Sequence, residues 1–285
     1  MALAADNLSL EFAAGGSGAN SMIGIAQLGG RAAFSGKIGK DEHGKIYREK
    51  LEELGVSARL GEGEGTTGSS LVLVSKDGGR TMNTYLGMCQ ELQATDIDPA
   101  VIQTSKYLYL TGYLWDTESQ KKAVRCALDE AKKCNTKVAI SLSDPFCVTR
   151  HKVDFKNLLQ NYASMVFCNQ EEAFTLLDTN VTQEAVEILS NWTETVVLTL
   201  GANGALISHL GQTFYIDPLA VRVEDTTGAG DAFAAGFLYG MTHDLSALDS
   251  GRIGATLAGA VIEQTGSRYQ GQAHTLIREK LGISL

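Results

Sequence analysis

The apolar residues of this chain follow two different spacings in turn. Segments with an apolar residue every three or four positions predict amphipathic helices, and short runs rich in β-branched residues predict buried strands. The two patterns alternate, most regularly from residue 106 onward, and predict strands over 32–38, 107–110, 138–142, 165–168 and 195–200, and helices over 18–28, 41–54, 119–134, 153–160, 171–177 and 183–191. Such repeats are typical of an α/β fold whose mostly parallel sheet is covered by helices on both faces.

A hairpin pattern interrupts this alternation of strands and helices. Two β-rich runs, 69–75 and 81–86, flank the sequence Lys-Asp-Gly-Gly at 76–79, which favours a tight turn. Glycines alternate with glutamates over 61–65 and predict a flexible connection before the hairpin. We therefore expect two parts, which are a core formed by residues 1–60 and 89–285 and a β lid hairpin over 61–88.

Composition narrows the class of protein. The 285 residues are 44% hydrophobic and 20% charged, as in a globular enzyme with one large core. The net charge of −9, without a basic stripe, argues against a nucleic-acid partner. No apolar run is long enough to span a membrane, and the N-terminus lacks the basic start of a signal peptide. The five scattered cysteines suit buried thiols in a reducing compartment, so we expect a cytoplasmic protein.

One glycine-rich turn carries the clearest chemical signal. Residues 225–231 are Asp-Thr-Thr-Gly-Ala-Gly-Asp, between an extended run over 219–223 and a helical pattern over 232–241. Backbone N–H groups at the start of a helix bind anions such as phosphate. An acceptor hydroxyl could meet that phosphate beside the final carboxylate. The turn therefore predicts phosphoryl transfer from a nucleotide.

Two common nucleotide-binding patterns do not match this turn. The chain has no Walker A pattern, because its Gly-Lys pairs lack the upstream glycine and the following serine or threonine. A dinucleotide-binding fingerprint would need a third glycine where Phe233 stands. The helix dipole alone would favour Asp225 and Asp231 at a helix start, but it does not explain the glycines between them.

Two motifs together resemble the signatures of one enzyme family. The turn at 225–231 resembles the C-terminal signature of the ribokinase-like (PfkB) carbohydrate and nucleoside kinases, and Gly-Gly-Ser-Gly-Ala-Asn at 15–20 is similar to their N-terminal glycine motif. The resemblance implies an α/β ribokinase-like three-layer core, with a mostly parallel sheet and a small β lid. It also implies ATP-dependent phosphorylation of an alcohol.

The resemblance also suggests a substrate class. Segments 80–87, 109–115 and 141–146 are similar to bacterial adenosine-kinase-like members of the family. They imply that the acceptor is the 5′-hydroxyl of a nucleoside, adenosine first, as in purine salvage. A sugar kinase for a ribose- or fructose-like substrate is the alternative, and a non-catalytic nucleoside-binding relative is the second alternative.

Catalytic roles follow from the positions that match the family motif. The resemblance implies that Asp231 is the base that takes the proton of the acceptor hydroxyl, and that the N–H groups of Gly228, Ala229 and Gly230 form an anion hole. Arg80, in the second strand of the lid, matches an arginine that reaches the transferring phosphate in adenosine kinases. An exposed charge on the hairpin, without a catalytic role, is the alternative for Arg80.

The expected cofactors are ATP and Mg²⁺. The sequence Asn-Gln-Glu-Glu at 169–172 resembles the family's Asn-x-x-Glu motif, which places Asn169 and Glu172 near the metal, although a solvated first helical turn also explains the glutamate. Potassium is a further expected ion, beside Asp225 and Ser267. The residues expected at the nucleotide are Thr199, Gly201, Asn203, Gly204, Thr226, Ala258, Gly259 and Ile262.

The acceptor is expected at both the glycine motif and the lid. The implied contacts are Gly15, Gly16, Asn20, Met82, Thr84 and Leu114, although for Met82 and Leu114 a core position is the favoured interpretation. We expect a monomer or a homodimer that pairs through the lid. Family members carry a strand and part of the lid before the first glycine motif, and we expect that segment to be absent from this chain.

Overall fold

The computed structural model of the chain describes residues 13–74 and 80–283, and only the backbone of Val74 and Arg80. The turn predicted at 76–79 and the first twelve residues of the predicted core lie outside the described residues. The strands are β1 Ala32–Gly39, β2 Val56–Gly63, β3 Ser69–Val74, β4 Arg80–Tyr85, β5 Tyr107–Thr111, β6 Lys137–Ser141, β7 Met165–Asn169, β8 Thr195–Thr199, β9 Ala205–His209 and β10 Gln212–Ile216. The helices are α1 Ser17–Gln27, α2 Glu42–Glu53, α3 Pro99–Gln103, α4 Glu118–Cys134, α5 Pro145–Asn161, α6 Gln170–Leu177, α7 Thr182–Ser190, α8 Ala229–Thr242, α9 Ala247–Ile262 and α10 Ala273–Leu281.

The central sheet has six strands in the order β10-β9-β8-β7-β6-β5. Strands β5 to β8 are parallel, while β9 and β10 are antiparallel to their neighbours. The prediction of a mostly parallel sheet is therefore confirmed. The carboxyl ends of parallel strands meet at one edge of a sheet. That edge is shared here by β5, β6, β7 and β8, and the loops that follow these strands start from it.

Helices cover both faces of this sheet, which gives three layers. Side chains of β7 alternate between the two cores. Val166 and Cys168 belong to the cluster with α4 to α7, whereas Met165 and Phe167 belong to the cluster with α1, α8, α9 and α10. This alternation follows from the two-residue period of a strand, and the apolar run of β7 is explained by burial on both sides.

The lid and the first two strands form separate small sheets. β1 and β2 pair in parallel, from Ala32 opposite Val56 to Gly39 opposite Gly63. The prediction of a flexible connection over 61–65 is therefore wrong for 61–63, because these residues belong to β2. β3 and β4 form the expected antiparallel hairpin, with Ser69 opposite Tyr85. The run over 219–223, predicted to be extended, belongs to no strand.

Helix α5 begins eight residues before the helix predicted over 153–160. Asp144 caps it by accepting the N–H of Cys147 at 2.8 Å, and Pro145 occupies its first position, where the missing N–H costs nothing. The helix bends at His151, whose φ of −123° and ψ of 24° leave helical geometry. No helix in the described part of the chain is long and apolar enough to cross a membrane.

Candidate active site

The two glycine motifs meet at Asp231. Asp231 is the third residue of α8, and the start of α1 lies against it. The hydroxyl of Ser17 donates to Oδ1 of Asp231 at 2.6 Å, and the amide of Asn20 donates from Nδ2 to Oδ2 at 3.0 Å. The structure thus joins residues that are more than 200 positions apart in the sequence, and both oxygens of the carboxylate have a donor.

The charge of Asp231 is set by two opposing effects. Burial raises the pKa of this carboxyl above its ordinary value, while the hydrogen bonds from Ser17 and Asn20 lower it. Because Asp231 stands in the first turn of α8, the N-terminal dipole of that helix also favours the ionised form. The result is a sheltered carboxylate that gains stability by taking a proton, as a general base must.

Helices α1 and α8 cross at very close range behind this carboxylate. A Cβ atom added at Gly24 would lie 2.6 Å from the Cβ of Ala235. No side chain larger than hydrogen fits there without separating the helices. The donors on α1 and the carboxylate on α8 are thereby held at a fixed separation.

The glycine-rich turn before α8 requires glycine at its cap. Gly228 has a φ of 80°, and an added Cβ would lie 2.1 Å from the carbonyl oxygen of Ser267. The N–H of Ala229 donates to the carbonyl of Thr226 at 3.3 Å, so within the expected anion hole this group is engaged in a long bond inside the turn. Gly230 follows it as the second residue of α8, with open space around its Cα.

Asp225 ties the turn to the loop after α9. It is 3% exposed, and its carboxylate accepts the N–H of Thr227 at 2.6 Å and the N–H of Gly266 at 2.8 Å. The carbonyl of Ile262 accepts the N–H groups of Glu224 and Asp225, at 2.7 and 3.2 Å. The end of α9 and the glycine-rich turn are therefore one connected unit.

The expected nucleotide residues lie in two places. Thr199 ends β8 directly opposite Asn169 at the end of β7, and Gly201, Asn203 and Gly204 form the turn that follows. Ala258, Gly259 and Ile262 lie in the last turns of α9, where Gly259 packs against the segment 219–221. Thr226 belongs to the glycine-rich turn that Ile262 anchors, so hydrogen bonds join the residues of α9 to that turn.

Asn169 and Glu172 hold each other at the start of α6. The Asn169 side chain accepts the N–H of Glu172 at 2.8 Å, and Nδ2 of Asn169 donates to Glu172 Oε1 at 2.7 Å. Glu172 Oε2 accepts the backbone N–H of Asn169 at 3.0 Å. Glu172 is 6% exposed, and its pKa is raised to about 7, first by burial and then by the charges of Asp144 and Glu171, against the lowering effect of the Asn169 N–H.

This donor set fits Mg²⁺ that arrives with a nucleotide. Within residues 13–74 and 80–283, no three His, Cys, Asp or Glu side chains lie close enough to hold a metal on their own. Mg²⁺ keeps several waters and takes most other ligands from substrate phosphates, so it needs few protein oxygens. Burial and the charge of Asp144 raise the pKa of Glu172 despite its hydrogen bonds, and a nearby cation would stabilise the ionised form.

The acceptor side is only partly assembled. The carbonyl of Gly15 accepts the hydroxyl of Tyr47 at 3.0 Å, and Gly16 caps α1 with a φ of 101°. Leu114, in a short 3-10 helix after β5, packs against the larger core cluster. Met82 is 56% exposed on the lid, so the expectation of a core position is wrong for this residue.

The described contacts of the remaining expected lid residues are to other residues of the lid. The hydroxyl of Thr84 is hydrogen-bonded to that of Ser70 across the hairpin, at 2.8 Å. Arg80 begins β4 opposite Val74, and its side chain lies outside the described part of the chain. The structure therefore leaves the expected contacts of Arg80, Met82 and Thr84 as predictions.

Sequence reasoning missed two residues beside Asp231. Ser17 was part of the glycine motif but carried no role, because its partner lies 214 residues away. Tyr109 on β5 lies close enough to Asp231 for the two to interact. Burial raises the pKa of Tyr109 most, and the charge of Asp231 raises it next. Hydrogen bonds with Ser21 and Ser141 lower this pKa, and the charge of Glu172 raises it. A tyrosine in a buried strand looks like any core residue, so no sequence signal marked it.

Comparisons with known proteins agree with this geometry. Residues 3–273 match the model of the pfkB family of carbohydrate kinases. The structure resembles that of an adenosine kinase from Sinorhizobium meliloti, with a TM-score of 0.88 and 37% identity over 93% of this chain and 82% of that one. An uncharacterized sugar kinase of Archaeoglobus fulgidus is 28% identical over 86% of this chain and 97% of its own length. A 5-dehydro-2-deoxygluconokinase of Shouchella clausii is also 28% identical, over 89% of this chain and 81% of its own length.

Proposed function

The chain belongs to the pfkB family of carbohydrate kinases, and from that membership and its site we propose that it transfers the γ-phosphoryl group of ATP to the 5′-hydroxyl of a nucleoside, adenosine first. The ribokinase-like α/β fold and a kinase activity toward an alcohol follow from the family itself. The choice of a nucleoside over a sugar is our proposal.

The observation that carries the proposal is the setting of Asp231. This half-buried carboxylate stands where two helices begin, with a donor on each oxygen at 2.6 and 3.0 Å. A carboxylate held in this way can accept the proton of an acceptor hydroxyl as that oxygen attacks phosphorus. In this proposal the N–H groups of Gly228 and Gly230, at the start of α8, donate to the oxygens on which negative charge develops.

Asn169 and Glu172 are the residues that would hold the nucleotide-bound Mg²⁺, through its water shell. When bound, Mg²⁺ neutralises part of the phosphate charge. Glu172 must be ionised for this role, and its pKa of about 7 means that the metal-free protein is partly protonated there at neutral pH. The residues of the β8–β9 turn and of the end of α9 would flank the rest of ATP.

Exposed apolar side chains support a nucleoside as the acceptor. Met82 and Tyr85 on the lid are 56% and 60% exposed, and Tyr113 and Phe146, which follow β5 and β6 at the site edge of the sheet, are 42% and 78% exposed. Flat aromatic and apolar surfaces suit a purine base, whereas a free sugar needs polar contacts. The 37% identity to an adenosine kinase points in the same direction.

A panel of acceptors tests the proposal. Adenosine, other nucleosides, ribose, fructose and 5-dehydro-2-deoxygluconate are each incubated with ATP and Mg²⁺, and ADP formation is measured. We expect adenosine to give the highest kcat/KM. Turnover of a sugar without turnover of any nucleoside would establish the sugar-kinase alternative instead.

The variant Asp231→Asn is the control for this panel. It should lose about 10²–10⁴-fold in kcat, as expected for removal of a general base, while binding of ATP measured by calorimetry changes little. Binding of adenosine by the wild type without any turnover would favour the non-catalytic alternative. Full activity of Asp231→Asn would contradict the role of this residue.

The other expectations stay predictions. A potassium ion beside Asp225 and Ser267 predicts that K⁺ raises the rate over Na⁺ at equal ionic strength. Sedimentation would distinguish a monomer from a homodimer that pairs through the lid. A cytoplasmic location, with ATP and a small-molecule acceptor as the partners and without a nucleic acid or a membrane, completes the proposal.

A further inference from the structure

The two donors to Asp231 differ in how firmly they are held. Asn20 is 7% exposed and is fixed at both ends of its amide, because Nδ2 donates to Asp231 Oδ2 at 3.0 Å while Oδ1 accepts the hydroxyl of Ser267 at 3.3 Å. The Ser17 hydroxyl makes one bond, to Asp231 Oδ1 at 2.6 Å. Oδ2 is therefore held by a fixed amide, and Oδ1 by a hydroxyl that can rotate.

The hydroxyl of Ser17 has no structural task in its own helix. Ser17 is the first residue of α1, whose cap is Gly16 and whose N-terminus has no side-chain capping bond. The residue that can cap a helix with its side chain is the N-cap, which here is Gly16, so Ser17 has no such bond to make. Here its partner is instead a carboxylate 214 residues away in sequence.

We propose that Ser17 is a positioning residue that turns Oδ1 of Asp231 toward the acceptor, and that Oδ1 is the oxygen that takes the proton. This inference rests on the proposed kinase function. A carboxylate oxygen has two lone pairs, so Oδ1 can keep the bond from Ser17 and accept the acceptor hydroxyl with the other. Oδ2 is bound to the amide of Asn20, which Ser267 holds from its other end, so Oδ1 is the oxygen whose donor can rotate to make room for the acceptor.

The proton balance of the step is simple. The O–H bond of the acceptor breaks, its proton passes to Oδ1 of Asp231, and the acceptor oxygen forms a bond to the γ-phosphorus of ATP. The bond from that phosphorus to the β–γ bridging oxygen breaks, and ADP leaves with the electron pair. Ser17 keeps its own proton throughout, and Asp231 returns the transferred proton to solvent.

Four other titrating groups lie around Asp231, and the design of the test takes them into account. The phenols of Tyr109 on β5 and Tyr113 on the following turn interact with its charge, and the pKa of each is raised above the ordinary tyrosine value, chiefly by burial. Arg268, on the loop that carries Ser267, has its pKa lowered by burial. Glu172, whose pKa is raised to about 7, contributes to the acid limb of every variant. The effect of Ser17 on Asp231 is therefore the difference between the acid limb of Ser17→Ala and that of the control Ser119→Ala.

The test compares Ser17→Ala, Ser17→Thr and a matched control, Ser119→Ala. Ser119 is also in the first turn of its helix, α4, and donates to the carbonyl of Leu92 at 2.7 Å, outside the site. Loss of one hydrogen bond raises the pKa of a carboxylate by about one unit. We expect the acid limb of kcat/KM in Ser17→Ala to move up by about one pH unit, with kcat about 10-fold lower.

The conservative variant separates positioning from folding. Ser17→Thr keeps the hydroxyl and should restore both the wild-type acid limb and kcat, while Ser119→Ala should move neither. Unchanged acid limbs in all three variants would overturn the inference. So would a loss in Ser17→Ala that Ser17→Thr does not restore.

A second measurement is independent of turnover. The pKa of Asp231 in the free protein is followed by ¹³C NMR of the aspartate carboxyl carbons, with Asp231→Asn used to assign the signal. An upward shift in Ser17→Ala but not in Ser119→Ala supports the inference even if no acceptor is turned over, in which case only the proposed function has failed. An unshifted Asp231 signal in Ser17→Ala refutes the inference whatever the activity.

Discussion

Gly228→Ala should both destabilise the protein and disturb the candidate active site. The residue has a φ of 80°, and a left-handed backbone costs an alanine about 1–2 kcal/mol. Its Cβ would lie 2.1 Å from the carbonyl oxygen of Ser267, so the loop after α9 or the first turn of α8 must move. That movement strains the bond of 2.8 Å from the Gly266 N–H to Asp225, and a hydrogen bond to a charged acceptor contributes about 1.5–3 kcal/mol.

The total loss is therefore about 2.5–5 kcal/mol. Urea denaturation gives the free energy of unfolding, and the rate of ADP formation under saturating substrates gives kcat. We expect kcat to fall as well, because the displaced turn carries the N–H groups that we propose as donors to the phosphate.

Gly230→Ala is the matched control for stability. Gly230 lies two residues further on, and nothing lies within 4 Å of the position of an added Cβ. Alanine there should leave the free energy of unfolding unchanged or raise it by up to about 1 kcal/mol, since alanine favours a helix more than glycine does. Equal unfolding free energies for Gly228→Ala and wild type would refute the strain argument.

Two further predictions concern buried charges. Burial raises the pKa of Glu172 from 4.5 to about 7, so the folded protein is more stable when this side chain is neutral. The free energy of unfolding of the metal-free protein, measured by urea denaturation, should therefore fall by roughly 3 kcal/mol as the pH rises from 4.5 to 7. In Glu172→Gln the free energy of unfolding should change less over the same pH range. Lys37 and Asp96 form an ion pair at 2.8 Å with side chains only 8% and 11% exposed, so Asp96→Ala should cost about 3–5 kcal/mol in unfolding free energy. The control Glu64→Ala breaks an exposed ion pair with Lys40 and should cost less than about 1 kcal/mol in unfolding free energy. Similar losses in Asp96→Ala and Glu64→Ala would contradict the expectation that the buried ion pair costs more to break.

Much of the core was predictable because its strands are buried on both faces. The runs at β5 to β8 are apolar without alternation, and those of β5, β6 and β7 are each followed by a helix. Helix α5 was harder to place, since the bend at His151 shifts the apolar face between its two halves. Only the second half shows one continuous period, although Asp144 and Pro145 carry an ordinary helix-start signal.

The hairpin of β9 and β10 was missed for a different reason. Its turn contains Leu210, with a φ of 49°, before Gly211. Leucine is not a residue that signals a left-handed turn position, where asparagine or aspartate is usual. The sequence therefore shows two short apolar runs without a recognisable turn residue between them, and a hairpin is not predicted.

In the site, sequence could identify Asp231 but not its environment. The glycines and the carboxylate form one continuous motif, and a continuous motif can be recognised. The bonds from Ser17 and Asn20 join two distant segments, and the influence of Asp231 and Glu172 on Tyr109 depends on packing between strands and helices. Such relations depend on the folded structure and leave no local pattern.

The close crossing of α1 and α8 at Gly24 and Ala235 has a consequence for how this site could change. Asp231 and its two donors belong to different helices, so the contact between the helices sets their spacing. A single added methyl at Gly24 would widen that spacing without altering any of these three side chains. With Asp231 in its proposed role, the rate of the enzyme therefore depends on a buried glycine that carries no functional group.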